Sequence, residues 1–359
     1  VIDPDFWRGK RVFLTGHTGF KGAWLSLWLR ELGAELSGYS LAPQTEPNLY
    51  TIAGVRDGLA DETIADIRDG AALAAAVRRA DPEIALHLAA QALVLPSYDD
   101  PVETFSTNVV GTVSVLNALR AAPSLRAAIA VTSDKCYENR EWPWGYRETD
   151  PMGGHDPYSA SKGAAELAIA AMRRCYFPPE GPAALASARA GNVIGGGDWS
   201  IHRLVPDLLR ALAAGKPCAI RHPQAIRPWQ HVLDPLAGYL VLAEALWRDG
   251  PAHAMGWNFG PREENAKPVA WIAERLAALW GGPADWVPTA PPAHENAYLK
   301  LDIGQTTSRL PWRPVWSIDE ALASIASWHR AHADGADMRA LTLAQIGDFS
   351  RAATTFTKA

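Results

Sequence analysis

The sequence has 359 residues, 48% hydrophobic and 20% charged, with a formal net charge of −5. Such a chain is long enough for two lobes, and its mildly acidic balance excludes a broad nucleic-acid or anionic-membrane footprint. It contains no apolar run of the ~18 residues that a membrane helix needs and no signal-peptide pattern, and its three cysteines, Cys136, Cys175 and Cys218, are too few and too scattered for a disulfide scaffold or a zinc site. A reducing, cytoplasmic location without a bound metal is the expectation. The first residue is Val, so the natural start is expected to have been trimmed.

Residues 10–16 (KRVFLTG) form a short apolar run ending in Gly and read as a buried strand. Residues 21–33 follow as a helix, with Leu25, Trp28, Leu29 and Leu32 at helical spacing and Gly33 as the stop. A second strand is expected at 34–40 and a Pro-rich loop at 41–50. Helix 71–80 is broken by Asp81-Pro82, and strand 83–90 follows. Helix 107–122, strand 125–134, a helix from 156 to about 174 and strand 183–192 continue the alternation. This order predicts an α/β fold: a doubly wound parallel sheet covered by helices on both faces. Beyond residue 190 the chain turns Pro-, Trp- and Arg-rich. It then gives a helix at 236–247 and a strand-like run at 255–260. The expected division is a nucleotide-binding lobe of 1–188 plus 232–262 and a smaller mixed α/β lobe of 189–231 plus 263–359.

The segment TGHTGFKG (15–22) sets Gly16, Gly19 and Gly22 three apart, between the first strand and the first helix. Glycines there permit a tight turn and close backbone approach. The helix start then offers N–H groups and a positive dipole end to a pyrophosphate. Further along, DPYSASKGAAELAIA (156–170) puts Tyr158 and Lys162 one helical turn apart, so a phenol and an ammonium share a face. An ammonium beside a phenol favours phenolate. Lowering a free tyrosine from near pH 10 by two or three units takes roughly 3–4 kcal/mol. Strand 125–134 ends in VTSDK, which supplies Ser133, Asp134 and Lys135. Ligands bind at such strand ends in open α/β sheets.

The GxxGxxG spacing together with YxxxK resembles the extended short-chain dehydrogenases/reductases, the nucleotide-sugar epimerases and dehydratases, along the whole chain. That resemblance implies a Rossmann lobe that binds NAD and a C-terminal lobe that binds a nucleotide sugar. It implies cofactor contacts at Gly16, Thr18, Gly19, Phe20 and Gly22, at the adenine-edge residues Asp66 and Ile67, and at Ala89, Ala90 and Gln91. The acidic residue usual at the end of the second strand is Ser40 here, and no Arg or Lys follows closely, so NAD is expected rather than NADP. Tyr158 is the implied base at a sugar hydroxyl and Lys162 the ribose anchor. Ser133 is the hydroxyl partner, and Asn108 holds the position of the family's helix asparagine.

Asp134 and Lys135 add two ionisable groups beyond what a 4-epimerase, the alternative enzyme, requires. A non-catalytic dinucleotide sensor, the other alternative, often lacks the Tyr or Lys. Nucleotide-sugar 4,6-dehydratases carry such a pair, usually Asp-Glu, to eliminate water. The Asp-Lys form, with RAGNVIGGGDW (189–199), IRPWQHV (226–232) and YLKLD (298–302), is similar to the CDP-glucose branch. By position Asp134 is the acid at the C6 hydroxyl. Lys135 is the C5 base, or alternatively an electrostatic stabiliser. Asn192, Arg203, Arg227, Tyr298 and Lys300 are the implied substrate contacts. The Trp-rich 140–146 segment reads equally as lid or packing. A homodimer or a dimer of dimers is expected, formed by two apolar helices of each chain.

Overall fold

Short runs of small and branched apolar residues build a seven-stranded parallel sheet at the centre of the computed structural model, which describes residues 2–289 and 298–358. Its strands are β1 (Arg11–Thr15), β2 (Glu35–Ser40), β3 (Asp61–Ile64), β4 (Ile84–His87), β5 (Ala127–Val131), β6 (Ala184–Ala190) and β7 (Gly256–Phe259). They lie in the order β7-β6-β5-β4-β1-β2-β3. The chain reverses direction across the sheet between β1 and β4, which opens a crevice at their C-terminal ends.

Period-two alternation sends the strands' side chains to two separate cores. Val12, Leu14, Ile84, Leu86 and Ile129 face one side. There they meet α1 (Phe20–Glu31), α6 (Leu233–Asp249) and the C-terminal α9 (Met338–Lys358). Phe13, Ala85, Ala128 and Leu185 face the other side and meet α2 (Gly70–Ala80), α3 (Thr112–Leu119) and α4 (Pro157–Tyr176). A third core joins α5 (Leu204–Ala214), α7 (Val269–Trp280) and α8 (Ile318–Ala333) around Leu208, Ile272 and Ile325. None of the described helices is long and apolar enough to cross a membrane.

Two elements differ from the sequence reading. Strand β3 lies at an edge, its DETI sequence half-exposed and polar, so it carries no apolar run to announce it. The helix expected at 107–122 starts earlier, at Pro101, and passes through a π-helical turn at Ser106–Gly111 before α3. Such turns accompany functional sites, and this one contains Asn108. The strand-like run at 255–260 is the seventh strand of the main sheet, paired in parallel with β6.

Candidate active site

A cavity of about 780 Å³ runs from the glycine loop, across the ends of β1, β4, β5 and β6, to the C-terminal segments. At one end it is shaped by glycine. Gly16 has φ +80°, and a Cβ there would lie 2.7 Å from the Ala89 amide nitrogen. A Cβ on Gly22 would lie 2.0 Å from the Gly16 carbonyl oxygen. Gly19 caps α1 with no side-chain hydrogen bond, so the first-turn amides are left for a ligand. The Thr18 hydroxyl donates to the Leu41 carbonyl and shares a 2.8 Å hydrogen bond with Ser40 at the end of β2. Phe20, Ile67, Ala89, Ala90 and Gln91 line the same end. The Asp66 carboxylate is held below its ordinary range by the Arg68 guanidinium, which donates to it at 2.5 Å. Glycine cradle, uncapped amides and adjoining hydroxyls together fit the pyrophosphate and ribose of a dinucleotide.

The other end is built from buried charge. Ser133 ends the β5 segment, and its Oγ donates to Asp134 Oδ1 at 3.0 Å while accepting from the Lys135 amide at 3.2 Å. Asp134 is 3% exposed, and its Oδ2 has no hydrogen-bond partner among the described residues. Burial pushes this carboxyl upward against the nearby cations Lys135, Arg227 and Lys21. A Cβ on Gly191 would lie 2.9 Å from that same Oδ2, so glycine keeps the space open. Lys135 lines the cavity beside it. Tyr158 sits in the first turn of α4, its backbone amide donating to Ser97 Oγ at 3.1 Å. Lys162 is one turn on, its ammonium 6.0 Å from the Tyr158 ring centroid and lowered to about 8 by burial.

A lowered phenol is expected from two cations together, Lys162 and the nicotinamide ring, and the protein alone supplies only the first. The Tyr158 phenol is not lowered by Lys162; burial pushes it up to about 12. A hydrogen bond with Ser133 and the charge of Arg203 pull it down, and the carboxylates Asp134 and Asp156 add to the rise. In the protein alone, desolvation therefore outweighs the cations.

Asn192, Arg203 and Arg227 line the cavity, as their sequence context suggested. Arg203 pairs with buried Asp198 at 3.5 Å. Three expected residues do not line it. Asn108 is buried behind the wall, where it accepts from the Gln91 amide at 2.9 Å and donates to the Gln91 carbonyl and Ser161 Oγ. Tyr298 donates to the Pro143 carbonyl, and Lys300 pairs with Glu263 at 3.0 Å. The residues of YLKLD serve instead to pair with the 139–146 segment, through Asn139 to the Tyr298 carbonyl and Tyr146 to the Lys300 carbonyl. That Trp-rich segment packs as a stack of Trp144, Trp142, Tyr146 and Tyr137 and lines no part of the cavity. Sequence reasoning missed Lys21. Half-buried in the cavity wall, it lies beside Arg203, Lys162 and Asp134, and desolvation first, then those cations, lower it to about 7. A lysine in the first turn of an otherwise apolar helix was the available signal.

The sequence pattern of the NAD dependent epimerase/dehydratase family matches residues 12–255. The chain belongs to that family. A CDP-glucose 4,6-dehydratase of Salmonella typhimurium is 49% identical over 99% of this chain and 100% of its own length. A dTDP-glucose 4,6-dehydratase of Xanthomonas campestris is 26% identical over 88% of this chain and 92% of its own. The fold of this epimerase/dehydratase chain is shared by the DesIV double mutant, a dTDP-glucose 4,6-dehydratase of Streptomyces venezuelae with NAD and DAU bound. The TM-score is 0.77 at 22% identity, over 91% of this chain and 98% of that one. A UDP-glucose 4-epimerase of Thermotoga maritima matches equally, with a TM-score of 0.77 at 19% identity over 90% and 99% of the two chains.

Proposed function

We infer that this protein is an NAD-dependent hydro-lyase that converts CDP-glucose to its 4-keto-6-deoxy product. The observation that carries the reading is Asp134: a buried carboxyl, pushed upward by desolvation, beside Lys135 and Tyr158 in the cavity that holds the glycine loop. An epimerase has no use for a second acid there, because epimerisation expels no water. The relative that matches from end to end at 49% identity carries the activity in its name.

The glycine loop and the Ser40, Asp66 and Gln91 walls would hold NAD, which when bound would supply hydride acceptance at C4 and its return at C6. The side chains move the protons. With NAD bound, the positive nicotinamide ring and Lys162 would favour the Tyr158 phenolate, which takes the C4 hydroxyl proton while Ser133 hydrogen-bonds the same oxygen, leaving a ketone. The ketone acidifies the C5 hydrogen. Lys135 removes that proton as Asp134 protonates the C6 hydroxyl, which leaves as water. Lys135 then returns a proton to C5. The proton that Tyr158 gained offsets the one that Asp134 lost, so the cycle closes. Arg203, Arg227 and Asn192 hold the diphosphate, for which guanidinium forks are suited.

We further propose that the protein is a homodimer. Val102, Phe105 and Val110, near the start of α3, and Leu167 on α4 are exposed at 78%, 38%, 57% and 63%, an unusual apolar density for one helix pair. Incubation with CDP-, dTDP- and GDP-glucose in parallel tests the substrate reading. Only CDP-glucose is expected to give the 4-keto-6-deoxy product, read by its absorbance in alkali; product from another nucleotide alone would overturn the assignment.

A further inference from the structure

The helix that carries Tyr158 and Lys162 carries a third buried ionisable group one turn further on. Glu166 is 4% exposed and does not line the cavity. Its carboxylate accepts from Thr132 Oγ1 at 2.5 Å, Ser187 Oγ at 2.8 Å and Arg189 Nη2 at 2.8 Å. Thr132 immediately precedes Ser133, and Ser187 and Arg189 lie on β6. One carboxylate therefore ties α4 to the two strands whose ends form the reacting wall. Arg189 extends the tie, donating to the Tyr137 hydroxyl at 2.7 Å and the Glu148 carbonyl at 3.1 Å. Gly163 lets the helix approach closely, since a Cβ there would lie 2.6 Å from the Gly153 carbonyl oxygen.

We propose that Glu166 is a positioning residue: it fixes Lys162 and the Thr132–Lys135 strand end against one another, and it is the carboxylate one helical turn from Lys162. The inference rests on the dehydratase reading of the site. The groups that face Lys162 are Tyr158 and Glu166 on its own helix, Cys136 from the turn after β5, Lys21 from α1 and His87 from β4. Burial keeps the Cys136 thiol, the Tyr158 phenol and the His87 imidazole neutral. Glu166 alone among them is negative near neutral pH. It is itself held low by Arg189, Thr132 and Ser187 against burial, with Arg173 on the same helix as a further cation nearby. Without Glu166, desolvation of Lys162 would lose the one opposing carboxylate on its own helix, and the ammonium would be lost at lower pH.

Glu166→Gln keeps the shape and removes the charge. Its kcat on CDP-glucose is expected to fall at least tenfold with KM within twofold, and the alkaline limb of its pH profile to move to lower pH. Ser187→Ala, which removes a neutral hydrogen bond, is expected to leave the limb in place. Because Glu166→Gln strands a buried guanidinium, the double variant Glu166→Gln/Arg189→Gln is measured beside it. There the thermal midpoint recovers toward the parent while the limb stays displaced. A limb at the parent position in Glu166→Gln, or its return in the double variant, would overturn the proposal, as would failure of both variants to fold. A parent enzyme that makes no 4-keto-6-deoxy product would instead refute the dehydratase reading.

Discussion

At the dinucleotide end of the cavity the walls are glycines, hydroxyls and backbone amides; at the sugar end they are buried carboxyl, ammonium and guanidinium groups. The first end recognises by shape and fixed dipoles, which are set by local conformation. The second works through ionisation states, which depend on what the rest of the chain buries around each group. Changes at the two ends should therefore fail differently, in affinity at one and in proton transfer at the other.

The largest expected effect is Tyr158→Phe, which removes the proposed proton acceptor at the sugar hydroxyl. Turnover should fall by about 10³-fold or more, with the thermal midpoint near that of the parent. A variant retaining a tenth of parent activity would remove Tyr158 from the chemistry. Lys135→Met comes next. C4 oxidation should persist while elimination slows by about 10²-fold. A reduced-nicotinamide absorbance would then build up in a single turnover, and solvent deuterium at C5 would decline. Unchanged deuterium incorporation would leave Lys135 an electrostatic role only. At the other end, Gly22→Ala sets a methyl against the Gly16 carbonyl. NAD affinity measured by calorimetry should drop at least tenfold; unaltered affinity would show that the loop tolerates a side chain. This variant sharpens the contrast, since kcat at saturating NAD should stay closer to that of the parent than in either sugar-end variant.

The smallest effect is on stability. Burial raises the Asp134 carboxyl above its unfolded value. Its neutral form then favours folding fully below the unfolded pKa, and that contribution is lost as pH rises through the folded one. Asp134→Asn cannot ionise, so its thermal midpoint should decline less than the parent's between mildly acidic and neutral pH, by a few degrees at most. Parallel curves for the two proteins would mean that Asp134 is already ionised when buried.

The same contrast governs what could be read in the sequence. Gly16, Gly19 and Gly22 were legible because their spacing is a local requirement, as was the strand–helix alternation that gives six of the seven central strands. Tyr158 and Lys162 were legible as a pair, yet the direction of the phenol's shift was not, because it is set first by burial and then by Ser133, Asp134 and Arg203, which come from two other segments. Lys21 and Glu166 look like ordinary helix residues until the fold encloses them. Tyr298 and Lys300 hold the 139–146 segment through their own backbone carbonyls, a role that the run YLKLD does not announce. Strand β3 was hidden because an edge strand with polar residues lacks the apolar pattern of the central ones.

Hydride leaving one sugar carbon and arriving at another is the step that links both ends of the cavity. Turnover of CDP-glucose labelled with deuterium at C4, followed by magnetic resonance of the product, tests it directly. The label should appear at C6 of the 4-keto-6-deoxy sugar without dilution by solvent hydrogen. Deuterium found at C4 of an epimer, or lost to water, would contradict it.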